Sequence, residues 1–248
     1  MHTIQLDKKT YTGPSAWKEL NQISLRQVAA GTLLSAEAGR LYLISALYGI
    51  PRKELDKLLR SQLEQLYPLL DFLSESNSIG SWMINRVGKL FGPSGCLSDL
   101  TAEEWMYTEY NYEQWLHGQD ERYETGLAAV LMREKTGDKR AAFDAGQLTA
   151  NETILTKESR VFRHAILINY AGCRNKIISL HRNVWKPPVE GETAEQDTAK
   201  YTNWRELCLS IAPGPFGTFE QVLKAPLWDV LKHMDRQAKL AEEMEARR

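Results

Sequence analysis

Cysteine and histidine side chains are the first candidates for catalysis in this chain, because an imidazole beside a thiol can activate it as a nucleophile. His164 and His181 flank Cys173 within one stretch. On a helix neither histidine lies one turn from the thiol, since the separations are nine and eight residues. A buried, inert cysteine is the common outcome for such a residue. We therefore expect no nucleophilic site here.

The cysteines and histidines do not predict a metal site either. The three cysteines, Cys96, Cys173 and Cys208, are far apart, and no pair has the CxxC spacing of a zinc knuckle or redox motif. The five histidines show no metal-ligand spacing: His2, His117, His164, His181 and His233. We expect reduced thiols, no metal and no cofactor.

The glycine-rich stretch 88–95, GKLFGPSG, has a superficial likeness to a phosphate-binding loop. It lacks the GK[ST] ending that places a lysine and a hydroxyl group on the phosphates, and we expect no strand before it. We therefore predict a turn. The chain also has no GxSxG, HExxH or dinucleotide fingerprint. These absences favour a protein that is not an enzyme.

The element around which the chain is built is the stretch Arg160–Trp185, which is long enough for about seven helical turns. It contains the densest apolar run, Ala165–Ile168, and at about 100° per residue the apolar side chains share one face. Gly172 either lets another helix pack closely or divides the helix in two. We predict a mostly buried helix whose opposite side carries a basic and aromatic line, a candidate for partner binding: Arg163, Tyr170, Arg174 and His181.

Charge is distributed unevenly along the chain. Residues 157–186 hold seven Lys or Arg against one acid, whereas residues 101–125 hold seven acids against one base. The two segments could pack together and neutralise each other, or both could be separate solvated faces. Alternatively, the basic segment could receive an anion, either an acidic partner or a nucleic acid. The nucleic-acid alternative would use Arg160, Arg163, Arg174, Lys176 and Arg182.

Size and composition are those of an ordinary water-soluble protein. The chain has 248 residues, of which 43% are hydrophobic and 25% charged, with a formal net charge of -1. That length suffices for one large or two small domains with a sizeable core. The N-terminal residues MHTIQLDKKT contain no apolar signal segment, and no run approaches the ~20 apolar residues that span a bilayer. We expect neither secretion nor a membrane.

Periodicity predicts a mainly α fold, a multi-helix bundle with a small N-terminal β-ribbon over Thr3–Thr12 and no other strand. A capping box at Thr101–Glu104 predicts the start of a central helix. The segment 187–201, rich in proline, glycine and acids, is typical of a linker. We expect four parts: 1–74 with the ribbon and short helices, 75–186 as the helical core, the linker 187–201, and helices over 202–248.

The last predicted helix spans Ala225–Arg248 and is amphipathic. Its apolar stripe starts with large side chains, the second set of candidate partner-binding residues: Leu227, Val230, Leu231 and Met234. It then thins to Ala238, Ala241 and Met244. We expect the first half to dock on the body of the protein. The second half either projects to hold a partner helix or is a frayed, solvated end.

Several landmarks resemble those of tail-assembly chaperones, proteins encoded near the tail genes of tailed bacterial viruses. They are Ser15–Leu20, Leu90–Pro93, Leu100–Trp105, Leu127–Met132, Gly137–Arg140, Phe143, Ala165–Asn175, Phe216–Val222 and Pro226–Leu231. The resemblance implies a mostly helical, non-enzymatic morphogenesis protein that binds a tail or tape-measure protein in the host cytoplasm. It carries no defined site. A structural tail or connector protein of the virion and a homo-oligomer remain alternatives.

Overall fold

The computed structural model describes residues 1–6, 8–185 and 204–245. About 60% of the chain is helical, which confirms the mainly α fold predicted from periodicity. The predicted linker 187–201 lies outside the described residues. The α-helices span Gln22–Thr32, Ala36–Tyr48, Arg52–Leu55, Arg60–Glu64, Ala102–Gly118, Glu121–Leu131, Leu148–Leu155, Arg160–Leu180, Trp204–Ser210, Phe219–Lys224 and Leu227–Glu245. Short 3-10 helices cover Trp17–Glu19, Tyr67–Ser74 and Ala145–Gln147.

The N-terminal ribbon is present, with strand His2–Leu6 antiparallel to Lys9–Gly13. The expectation of no other strand is wrong, because two further hairpins form. Arg86–Val87 pairs with Leu90–Phe91, and Lys135–Thr136 pairs with Lys139–Arg140. Strands of two residues are too short to show an alternating pattern in the sequence. The hairpins turn at Gly88 and Gly137, whose positive φ angles of 53° and 63° favour glycine.

The chain forms two compact units. Unit 1 comprises Met1–Ile84 and Lys157–Asn175, and unit 2 comprises the described residues of Asn85–Thr156 and Lys176–Arg248. This division differs from the four sequential parts expected from the sequence. The reason is that the helix Arg160–Leu180, the central helix below, supplies residues to both units.

In unit 1, asparagine side chains tie the extended segment 76–84 to the central helix. Asn77 Nδ2 donates to the carbonyl of Ile168 at 2.8 Å. Asn169 accepts from the amide of Met83 at 2.7 Å and donates to the carbonyl of Ser81 at 3.0 Å. These amide side chains tie the segment to the helix, and Asn169 gives the half-buried Met83 amide the acceptor that a neighbouring strand would otherwise supply.

Gly172 allows the same segment to approach the central helix closely. A Cβ at this position would lie 2.5 Å from Asn77 Oδ1 and 2.9 Å from the carbonyl oxygen of Ile79. The helix runs without a break from Arg160 to Leu180, so the alternative that Gly172 divides it is wrong. The neighbour that packs closely at Gly172 is an extended segment, and not the helix that the other alternative expected.

Unit 2 is built on the consecutive helices Ala102–Gly118 and Glu121–Leu131, which pack against each other, and on the helix Leu148–Leu155. The predicted capping box is present, with the Thr101 amide donating to Glu104 Oε2 at 2.8 Å and the Glu104 amide donating to Thr101 Oγ1 at 3.3 Å. The run Leu127–Met132 is wholly buried. It leads directly into the extended segment that carries the second hairpin of unit 2.

We predict that Gly172→Ala lowers the free energy of unfolding by about 1 to 3 kcal/mol, because the added methyl group meets the backbone of Ile79. Gly118→Ala is the matched control: it lies at the end of a helix, nothing lies within 4 Å of the place its added methyl group would take, and alanine favours a helix. Urea unfolding monitored by circular dichroism measures both. Equal stability of the two variants would contradict the packing argument.

Candidate functional site

The interior of unit 2 contains a carboxylate held between two arginines. Glu104 Oε1 accepts from Arg133 Nη2 at 2.5 Å and from Arg140 Nη2 at 3.1 Å. The exposed fractions of the Glu104, Arg133 and Arg140 side chains are 1%, 7% and 4%. Charges so deeply buried must be compensated by partners, because their hydration is lost. Glu104 therefore acts both as a helix cap and as the centre of an ionic cluster.

Burial is the largest influence on the titration of this cluster. It raises the pKa of Glu104, against the opposing effects of Arg140, Arg133 and Thr101. Burial also lowers the pKa of Arg133 to about 10, although Glu104 opposes that shift. At neutral pH the guanidinium group of Arg133 remains protonated. The cluster therefore contains a positive charge, on Arg133, that has lost most of its hydration.

The two arginines differ in how completely they are hydrogen-bonded. Arg140 donates to Asp99 Oδ2 at 3.1 Å and to the carbonyl of Leu131 at 2.7 Å, besides its bond to Glu104. Arg133 uses Nη2 for its bond to Glu104. Its Nε and Nη1 atoms are buried and have no hydrogen-bond partner among the described residues. Buried donors without a partner are uncommon and costly.

A cleft of about 1,040 Å³ opens beside the cluster. It is bounded by the ends of both unit 2 hairpins and by the start of the helix Ala102–Gly118. Four acidic and four basic side chains line it: Asp99, Glu103, Glu104, Asp138, Arg133, Lys135, Arg140 and Lys224. A volume of this order is typical of small-molecule sites.

A second cavity of about 270 Å³ shares a wall with the cleft. Both cavities are lined by Arg133, Lys135, Ala141, Ala142 and Phe143. Within this wall, hereafter the shared wall, the guanidinium carbon of Arg133 lies 5.8 Å from the centre of the Phe143 ring. Cationic and aromatic groups therefore stand side by side on the surface that separates the two cavities.

The end of the chain offers a second candidate surface. The helix Leu227–Glu245, called the C-terminal helix below, is anchored at its start, where the Leu227 amide donates to the Leu100 carbonyl at 2.8 Å. Further along, Asp235 accepts from both the amide and the side chain of Asn183, at 2.9 and 3.1 Å. Beyond this point large apolar side chains face solvent, with exposed fractions of 42% for Leu240 and 65% for Met244.

The candidate residues on the C-terminal helix are core residues of this chain. Leu227, Val230, Leu231 and Met234 are all buried. The first half of the helix is therefore docked, as the size of its side chains predicted, and the second half is exposed. A direct contact of these four side chains with a partner would require the helix to leave unit 2, and their role in partner binding stays a prediction.

The candidates on the central helix are also largely covered. Arg163, Tyr170 and His181 are buried, and Arg174 is half-buried. Arg163 Nη1 donates to the carbonyl of Glu158 at 2.6 Å. The His181 ring packs edge-on against Trp228 with 5.6 Å between ring centres, and burial lowers the pKa of His181 against the opposing charge of Asp235.

The nucleic-acid alternative retains part of its basic surface. Arg160, Lys176 and Arg182 are exposed, whereas Arg163 is buried and Arg174 half-buried. Salt-dependent binding of nucleic acid depends on how many cations reach the phosphates. The alternative stays a prediction.

The sequence did not identify the ionic cluster as a site. Glu104 was predicted only as part of a capping box, and Arg140 was noted only within the landmark Gly137–Arg140. Arg133 carried one usable signal, because it stands two residues before Lys135 and side chains at that spacing in an extended segment point to the same side. No spacing rule links Arg133 or Arg140 to Glu104, because Glu104 lies 29 residues before Arg133.

Two other kinds of site are missing from the described ranges. Within them, no three His, Cys, Asp or Glu side chains are placed to hold a metal ion together. None of the helices described has the length and apolar character needed to cross a membrane. The charged cleft and the exposed end of the C-terminal helix are two candidate surfaces for binding.

Comparisons with known proteins do not assign a family. No protein-family model, curated protein or solved structure matches the chain. The resemblance to tail-assembly chaperones therefore depends on the sequence landmarks alone and stays a hypothesis.

We predict that Glu104→Gln lowers the free energy of unfolding by about 3 to 5 kcal/mol, because it leaves the buried guanidinium group of Arg133 without a negative partner and leaves Arg140 with Asp99 alone. The matched control is Glu64→Gln, which removes an exposed ion pair with Arg60 and should change stability by about 0.5 kcal/mol or less. Urea unfolding at neutral pH compares the two. A loss below about 1 kcal/mol for Glu104→Gln would show that the cluster does not stabilise unit 2.

Proposed function

We propose that this protein is a non-catalytic assembly factor of a viral tail, similar to a tail-assembly chaperone, and that it binds an amphipathic helix of a tail or tape-measure protein in the host cytoplasm. The observation that carries the proposal is the exposure of apolar side chains on the C-terminal helix beyond its docked half. The absence of catalytic motifs from the sequence and the resemblance noted above support it.

The anchored start of the C-terminal helix gives the exposed end a defined base. The Ala102 amide donates to the Ala225 carbonyl at 3.1 Å, and Leu227 and Leu231 are buried immediately beyond. A helix held in this way needs less ordering when it binds than an unfolded tail would, and preorganisation of this kind increases affinity. The exposed end is thus suited to recognition of a second helix.

The residues of the exposed end specify the type of helix that fits. Leu240 and Met244 are four residues apart and share one side of the helix. Ala241 offers a small side chain beside Met244, which permits close approach of another helix. Methionine adapts its shape to different partners. A partner helix with leucine or methionine at a matching i, i+4 spacing would cover this surface.

The charges at the exposed end select the orientation of the partner. Arg236 and Lys239 precede Leu240, whereas Glu242 and Glu243 follow it. An antiparallel partner helix of the same charge order would place acids opposite the two bases and bases opposite the two acids. Charge patterns of this kind determine orientation and partner choice more than affinity.

We predict that the double substitution Leu240→Ser and Met244→Ser weakens binding to the tape-measure protein of the same virus by about tenfold or more, because truncation of interface anchors costs about 1 to 2 kcal/mol or more. Stability should be unchanged, since both side chains face solvent. The measurement is co-purification of the two co-expressed proteins, followed by titration of the complex. The matched control is Ile23→Ser, an exposed isoleucine of unit 1, which should bind as the unaltered protein does.

Two results would contradict the proposal. One is the failure of the protein to bind any tail component when the tail gene cluster is reconstituted. The other is unaltered binding by the double variant, which would place the interface elsewhere. Mass spectrometry of purified virions separates the remaining possibilities, because an assembly chaperone should be absent from them and a structural tail protein should be present.

A further inference from the structure

The cationic side chains of the shared wall have more N–H donors than the surrounding acids accept hydrogen bonds from. Of the four basic side chains in the cleft, Arg140 uses each of its three nitrogens in a hydrogen bond, to Asp99, Leu131 and Glu104. Lys224 lies close enough to Glu103 to oppose the effect of burial on its pKa. In the wall itself, Arg133 has two nitrogens without a partner in the described part of the chain. Lys135 Nζ lies 4.5 Å from the centre of the Phe91 ring.

The backbone fixes these two cations on the same side. The Arg133 amide donates to the Phe91 carbonyl at 2.9 Å, and the Phe91 amide donates to the Arg133 carbonyl at 2.6 Å. This antiparallel bridge holds the segment extended, so Arg133 and Lys135, two residues apart, point to one side. Both line the cleft and the second cavity.

We propose that the cleft binds the anionic group of a small ligand, a phosphate or a carboxylate, between Arg133 and Lys135. Such a group would accept the hydrogen bonds that Arg133 Nε and Nη1 do not make with the described residues, and charge-assisted bonds of this type are among the strongest in proteins. The proposal is independent of the assembly function, because it uses the hairpin segment and not the exposed end of the C-terminal helix.

Access to Arg133 requires a small movement. Its Nε and Nη1 atoms are covered, and the half-buried Phe143 ring lies beside the guanidinium group and lines both cavities. Rotation of this one side chain is the least change that admits an anion. The Phe91 and Phe143 rings then provide flat apolar surfaces for the body of the ligand, so an anion on an apolar or aromatic body fits the cleft best.

The test is isothermal titration calorimetry of the full chain with inorganic phosphate and, separately, with succinate at equal ionic strength. We expect saturable binding of at least one of them, and the comparison shows whether the cleft prefers a phosphate or a carboxylate. Lys135→Gln, at an exposed position, should weaken binding by about fivefold or more without loss of stability. Lys232→Gln, an exposed lysine of the C-terminal helix that lines neither cavity, should have no effect.

A second readout reports on Arg133 itself without altering the fold. Its Nε–H signal in a ¹⁵N-correlated NMR spectrum, identified by its loss in Arg133→Lys, should shift along the same titration. Arg133→Lys keeps one charge beside Glu104 and removes the two unused donors, so it should weaken binding by about tenfold or more. The proposal is overturned if neither anion binds saturably, if Lys135→Gln binds as the unaltered protein does, if Lys232→Gln loses as much affinity as Lys135→Gln, or if the Arg133 signal does not move.

Discussion

A buried carboxylate in the interior of unit 2, that of Glu104, determines how the residues around it are placed, because a buried negative charge must be surrounded by hydrogen-bond donors. Glu104 receives them from three parts of the chain: the Thr101 cap, the extended Arg133 and the hairpin residue Arg140. The helix start and the second hairpin are thereby fixed relative to each other. Phe91 joins the first hairpin to the same arrangement through its backbone bridge with Arg133. The three residues of the cluster, Glu104, Arg133 and Arg140, also line the cleft.

In unit 1, uncharged amide side chains, and not ions, bond to the polar groups of an irregular segment. The segment 76–84 has irregular backbone beside a buried helix, and amide side chains bond to its backbone: Asn77 to Ile79, Asn169 to Met83 and Ser81, and Asn175 to Asn77. Gly172 provides the space that this close approach needs. Neutral amide bonds avoid the desolvation penalty of buried ions, and each contributes modestly. The two units therefore bury irregular segments by different chemistry, through amides in unit 1 and through an ion cluster in unit 2.

Sequence patterns predicted the mainly helical fold, the N-terminal ribbon and the capping box at Thr101, because each depends on residues close together in sequence. The helix Leu148–Leu155 was not predicted, and the central helix ends at Leu180 rather than at Trp185. The hairpins at Gly88 and Gly137 were missed because two-residue strands leave no alternating pattern. The ionic cluster was missed for a different reason. The bond between Glu104 and Arg133 joins residues 29 positions apart, and only the folded chain brings them together. The distribution of charge identified acidic and basic segments, but it did not show that Glu104, Glu109 and Glu124 are buried.

Apolar periodicity also does not show whether a side chain packs in the core of its own chain or contacts another protein. Leu227, Val230 and Leu231 were candidates for partner binding, and they are buried in unit 2 because the largest side chains of the stripe gain most from burial. The stripe becomes available to another protein only where it no longer contributes to the chain's own core. On the C-terminal helix that point follows Asp235, whose carboxylate holds the helix to Asn183. In an amphipathic helix of this kind, the position at which large apolar residues give way to small ones therefore indicates where the stripe stops packing in its own core and becomes available to a partner.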